Sequence, residues 1–136
     1  MADLVVTEAD VTSNNTTQTY RSYQAGEAIT AGQVVRIDGA TGKLVKSQAD
    51  TEDNADVLGI AVTSAALDEY LIIAEGGSYI SGATMVAGQY YVVSNTAGSL
   101  CPFSDLTTGQ YATYAIYATT TTAATIRRLE TGVAVA

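Results

Sequence analysis

The feature that most constrains this chain is that it aligns with itself at a fixed spacing. Residues 26–33 (Gly-Glu-Ala-Ile-Thr-Ala-Gly-Gln) match residues 82–89 (Gly-Ala-Thr-Met-Val-Ala-Gly-Gln), an offset of 56 positions. With no gap, the same offset pairs Gly42 with Gly98, Leu44 with Leu100, Ile60 with Ile116, Thr63 with Thr119 and Gly76 with Gly132. Apolar character is kept at Ile29/Met85, Val35/Tyr91 and Ile37/Val93. Chance produces a three-residue match. A register held over about fifty residues points to a duplicated unit, placed at about 26–76 and 82–132.

Each copy carries the same local signals. An Ala-Gly turn (Ala31-Gly32, Ala87-Gly88) launches a β-prone run over 33–38 or 89–94, and a Gly-bearing turn returns the chain through Leu44-Val45 or Leu100-Cys101. Asp-Gly and Asn/Gly turns between β-branched runs are hairpin signals. A polar loop then leads to a second strand pair, 57–63 with 70–75 in the first copy and 112–119 with 125–130 in the second. The alanines of 55–67 suggest a helix, but Gly59 and the Val/Ile/Thr enrichment favour strand. The expected fold is all-β: two tandem, similar small lobes (barrel- or sandwich-like) over 25–136, preceded by an extended arm at 1–24. The run Leu4, Val5, Val6 and Thr7 within that arm is β-prone and lies outside the repeat. It is therefore the candidate for docking on a partner by strand addition, with the polar stretch 12–17 ordering on binding.

Charge is divided unevenly between the copies. Residues 1–76 carry twelve acids and four bases, whereas residues 77–136 carry only Asp105, Arg127, Arg128 and Glu130. That second half also holds six of the nine tyrosines. Depletion of charge with enrichment of Tyr is the composition of a contact surface, which makes Tyr90, Tyr91, Tyr114 and Tyr117 candidates for self-association. The net charge of −8 repels phosphate backbones, and the single basic pair would split across the two faces of a strand, so nucleic acid is not an expected partner. No apolar run approaches the ~20 residues of a membrane-spanning helix, and the acidic start does not resemble a secretory leader. A cytoplasmic site of synthesis is expected.

The residues of catalysis are missing. The sequence has no histidine, which removes His-based triads, the commonest general base and most zinc sites. The segment 39–43 has two residues between its glycines and Leu44 after the lysine, so it is a hairpin turn rather than a phosphate-binding loop. The acids Asp50, Glu52, Asp53 and Asp56 crowd into one loop without the glycine that a calcium loop uses to turn. Lone Cys101 fits a packed small hydrophobe. No enzyme activity, cofactor or metal is expected.

Three stretches carry a family resemblance: AGEAITAGQVVRIDGATGKL at 25–44, VLGIAVTSAALDEYLIIAEGGSYI at 57–80 and AGQYYVVSNTAGSLCPFSDL at 87–106. Their Ala-Gly-Gln strand start, Leu-Gly-Ile-Ala strand and Gly-Gln-Tyr-Tyr-Val strand resemble bacteriophage capsid cement and head-decoration proteins, over about residues 25–132. Gln33 and Gln89 stand where Asp is frequent in that pattern, and Ala115 stands where the first copy has Gly59. The resemblance implies a small β-rich structural protein that oligomerises, often as trimers, on the outer surface of an icosahedral head. There it would lock neighbouring major capsid proteins together. A second reading is a carbohydrate-binding or adhesin-like β module using Tyr90 and Tyr91, although strand alternation sends those two to opposite faces.

Overall fold

The computed structural model describes residues 3–13 and 19–136; most of the polar 12–17 stretch lies outside the described residues. Among the described residues the chain is all-β, with eleven strands in two sheets and two single-turn 3₁₀ segments, Glu8–Asp10 and Phe103–Asp105. In chain order the strands are β1 (Val11–Ser13), β2 (Thr19–Gln24), β3 (Val34–Ile37), β4 (Leu44–Lys46), β5 (Gly59–Ala61), β6 (Tyr70–Gly76), β7 (Ser78–Ser81), β8 (Tyr90–Val93), β9 (Leu100–Pro102), β10 (Tyr111–Ala118) and β11 (Ala123–Ala134). The larger sheet runs β1-β7-β11-β10-β8-β9 and the smaller runs β2-β6-β5-β3-β4.

The repeat is visible in this topology. The order β6-β5-β3-β4 of the small sheet recurs as β11-β10-β8-β9 in the large one. The first hairpins correspond residue for residue: Val35↔Lys46, Arg36↔Val45 and Ile37↔Leu44 become Tyr91↔Pro102, Val92↔Cys101 and Val93↔Leu100. Gly32 and Gly88, at φ of +94° and +85°, and Gly42 and Gly98, at +71° and +82°, occupy the same two turns.

The gapless offset does not survive to the end of the unit. In the first copy Val34 faces Ile60; in the second, Ile116 faces Tyr91 rather than Tyr90, a slip of one residue. The slip falls at a bulge between Tyr114 and Ile116, at Ala115. A Cβ at the matching Gly59 would collide with the backbone carbonyl of Ala74, so the flat register accepts only glycine. An alanine at this position goes with the bulged register, which moves the strand off that contact. The second hairpin also differs: Ile60 pairs with Ala74, but Ile116 pairs with Ile126. The connection is four residues shorter in the second copy, so Gly76 and Gly132 are not equivalent.

A turn motif, used more often than the repeat requires, starts four strands. In 30–33, 66–69, 86–89 and 107–110 the fourth N–H donates to the first carbonyl at 3.0–3.2 Å. The third residue (Gly32, Asp68, Gly88, Gly109) has positive φ in each, the signature of a type II turn. The side chains of Gln33, Glu69 and Gln110 reach back to accept the first N–H at 2.8–3.0 Å. At 86–89 the hydroxyl of Tyr91 accepts it instead, at 2.9 Å.

The two lobes share a core. Val34, Ile60 and Ala74 of the small sheet join Tyr79, Tyr91, Val93, Ile116 and Ile126 of the large one in a single core. Their sequence neighbours Val35, Ala61 and Ile73 point the other way, into a second cluster with Ala25, Ile29, Leu44 and Ala65. The centre of the small sheet, around β5, is thus buried on both faces. Backbone bonds also cross between the copies: Val34 N–H to the Gly98 carbonyl at 3.1 Å, Gly98 to Ser47 at 2.8 Å and Ala49 to Ser94 at 3.0 Å. At Gly77 (φ +77°) the chain leaves β6 in one sheet and enters β7 in the other, the corner that lets one strand serve two sheets.

The N-terminal segment pairs with both sheets. β1 pairs with β7, and β2 runs along β6 through six paired residues. Leu4 N–H donates to the Leu100 carbonyl and Thr7 N–H to the Gly82 carbonyl, each at 2.8 Å. The physical reason is that both sheets have an edge strand outside the repeat, and the N-terminal residues supply backbone partners to each.

Candidate functional site

With one face of the large sheet in the core, its other face collects the tyrosines. Tyr114 and Tyr117 are three residues apart and would face opposite ways in a regular strand. The bulge at Ala115 adds the residue that returns both to the outer face. Tyr90 on the neighbouring β8 meets them there, its ring 5.8 Å from Tyr114 at 82° and 4.7 Å from Tyr117 at 54°. Phe103, on the 3₁₀ turn after β9, lies parallel to Tyr114 at 6.5 Å. On β11, Ile126 points to the core, so Arg127, Leu129 and Val133 face out; the Arg127 guanidinium sits 5.3 Å from the Tyr117 ring centre, a cation–π distance.

The result is an apolar, charge-poor face. Tyr90 is 41% exposed, Phe103 47%, Leu129 61% and Val133 64%, so large apolar groups on three adjacent segments meet solvent together. A groove of about 360 Å³ runs between Tyr90, Tyr114, Arg127, Arg128 and Leu129. A second, about 320 Å³, lies beyond Tyr114 between Phe103, Thr131 and Val133.

Three of the four tyrosines proposed for self-association therefore come together, and Tyr91 does not. It is buried at the centre of the core and holds the Val86 turn through its hydroxyl, because alternation from Tyr90 turns it inward. A Tyr91→Glu change would place a carboxylate in the core and unfold the chain, so it does not report on association. Tyr79 is likewise buried, which drives its phenol well above the ordinary value. Part of the tyrosine enrichment is thus core material. Among the N-terminal docking candidates, Leu4 and Val6 pack on their own core, while Val5, 84% exposed, and Thr7 face out. Sequence reading missed Phe103, Leu129 and Val133. The signal was the alternation of β11 after Ile126, obscured by the charged run around Leu129.

On the inner side of β11 the acidic loop approaches Glu130. Desolvation first, then the charge of Asp56 and a hydrogen bond that protonated Glu130 donates to it, then the charges of Glu52 and Asp53, raise the Glu130 carboxyl above its ordinary value. A raised folded-state pKa on an acid destabilises the fold above it. The penalty is absent below the unfolded value, about 4.3, accrues as pH rises between the two values, and is complete at neutral pH. Glu130→Gln should therefore stabilise the protein at pH 7, by about 0.5 kcal/mol for an exposed cluster, and match the wild type at pH 4. Thermal melts at the two pH values check this. Equal melting temperatures at pH 7 would remove the repulsion from the account.

Cys101 is buried, and burial, then the charges of Asp3 and Asp105, push its thiol up to about 12, so it is unreactive in the native state. Among the described residues no group of His, Cys, Asp or Glu is arranged to hold a metal ion, and no helix is long and apolar enough to cross a membrane. Comparison with protein-family models, characterised proteins and solved structures gives no match to this chain.

Proposed function

We propose that this chain is a non-enzymatic structural protein that associates with copies of itself and coats the outside of a bacteriophage capsid, bridging major capsid proteins. The observation that carries the self-association is the outer face of the large sheet, where Tyr90, Tyr114, Tyr117, Phe103, Leu129 and Val133 form one exposed apolar surface. Tyrosine-rich, charge-depleted surfaces of this kind are the composition of interface centres. The capsid as the further partner comes from the family resemblance of the repeat units, and the strong negative charge suits an outer surface that meets no packaged DNA. A trimer is the assembly that the resemblance favours. A sugar platform is the weaker reading: Tyr90 meets its two neighbours at 82° and 54°, so the rings do not offer one flat stacking surface.

Sedimentation velocity at micromolar concentration tests the association. The wild type should sediment as an oligomer and Leu129→Asp as a smaller species with an unchanged circular dichroism spectrum, since Leu129 is mostly solvent-exposed. A monomeric wild type, or an oligomer indifferent to Leu129→Asp, contradicts it.

A further inference from the structure

The sequence has six cationic side chains against fourteen acids; three of them have a carboxylate partner and a fourth binds an amide oxygen. Arg21 pairs with Glu75 at 3.1 Å, Lys43 with Asp68 at 2.7 Å and Lys46 with Glu27 at 3.6 Å, while Arg36 donates to Asn54 at 2.8 Å. Arg127 and Arg128 are exposed and adjacent. Among the described residues neither has a carboxylate at ion-pair distance: Arg127 lies over Tyr117, and Arg128 donates one N–H to the Leu58 carbonyl at 2.8 Å. Both line the groove of about 360 Å³ with Tyr90, Tyr114 and Leu129. In a chain with a large excess of acid, two guanidinium groups left without a carboxylate beside aromatic walls suit a ligand with carboxylates on short apolar stems.

The protein itself presents such a ligand. The loop 50–56 is fixed at its base by buried Ala49 and Ala55 and by bonds from Asn54 to Asp50 and Thr51 at 3.0 and 3.1 Å. Its tip exposes Glu52 and Asp53. Within one copy these acids lie near Glu130, where they repel, and they do not reach the arginines. We infer that the groove receives the acidic loop of a second copy, with Glu52 and Asp53 of one protomer pairing with Arg127 and Arg128 of the next. This rests on the self-association reading above and names its contact. Each copy holds one loop and one groove, so the contact is head-to-tail, and a closed ring leaves no groove unfilled.

The test is sedimentation velocity of four proteins at low and high salt: wild type, Arg127→Glu, Glu52→Lys with Asp53→Lys, and all three changes together. Arg127 and the two loop acids are exposed, and thermal melts confirm that each variant folds. Each set of reversals alone should weaken association about tenfold or more by opposing like charges, and raising the salt should weaken the wild type. The triple variant restores opposite charge across the contact and should recover much of the association. If the wild type assembles and Leu129→Asp disrupts it while the charge reversals change nothing, self-association stands and this contact is wrong. A triple variant no better than either reversal alone also overturns it, and a wild type that is monomeric throughout overturns both readings.

Discussion

Deletion of residues 1–24 is expected to leave a chain that does not fold, rather than a folded protein that has lost a docking arm. The deletion removes β1 and β2 and with them every paired residue along the outer edge of β6. Val11 goes from the core, and the covers provided by Leu4, Val6 and Tyr23 go from the two clusters. At about 1.5–3 kcal/mol for each fully buried large side chain, the loss is on the order of 5 kcal/mol before any backbone bonds are counted. That is comparable with the whole stability of an ordinary domain, about 5–15 kcal/mol. Circular dichroism of the truncated chain should show no cooperative melt. A melt within a few degrees of the wild type would mean that the segment is separable, as its position outside the repeat suggests.

Gly59→Ala should be the most damaging single-methyl change in the protein. The added Cβ meets the Ala74 carbonyl at the centre of the small sheet. β5 cannot move away without breaking Val34↔Ile60 on one side and Ile60↔Ala74 on the other. We expect a loss of about 3 kcal/mol, the upper range for overpacking, read as a fall in melting temperature of about 10 °C. The reverse change at the matching position, Ala115→Gly, should cost only about 1 kcal/mol, for a lost buried methyl and added chain entropy. Equal effects at the two sites would contradict the steric origin of the bulge.

That pair of positions marks where sequence reading stopped. The hairpins at 33–46 and 89–102 were legible because turn glycines and β-branched runs are local signals, and the copies agree residue for residue there. The Gly59/Ala115 difference was visible as a departure, but its consequence depends on a neighbouring strand's carbonyl, which no local pattern reports. The bulge in turn decided that Tyr114 and Tyr117 share a face. The separation of Tyr90 from Tyr91 followed from alternation alone, yet which of them faced inward needed the second sheet. The pairing of the N-terminal segment with both sheets was not legible, because lying outside the repeat says nothing about edge strands. Leu129 and Val133 were hidden because β11 changes surroundings after Ile126, from sheet centre to an exposed ribbon.

We propose above that the protein coats a capsid and associates through the tyrosine face. The most direct measurement of that proposal is co-sedimentation of purified protein with bacteriophage heads, assembled without it from the major capsid protein encoded beside its gene, followed by quantification of bound copies per capsid. The account predicts saturable binding at a fixed, symmetry-related number of copies, with raised resistance of the heads to heat, and much weaker binding by Leu129→Asp because single protomers lose avidity. Heads that stay bare at saturating protein, or that bind wild type and Leu129→Asp equally, would contradict it.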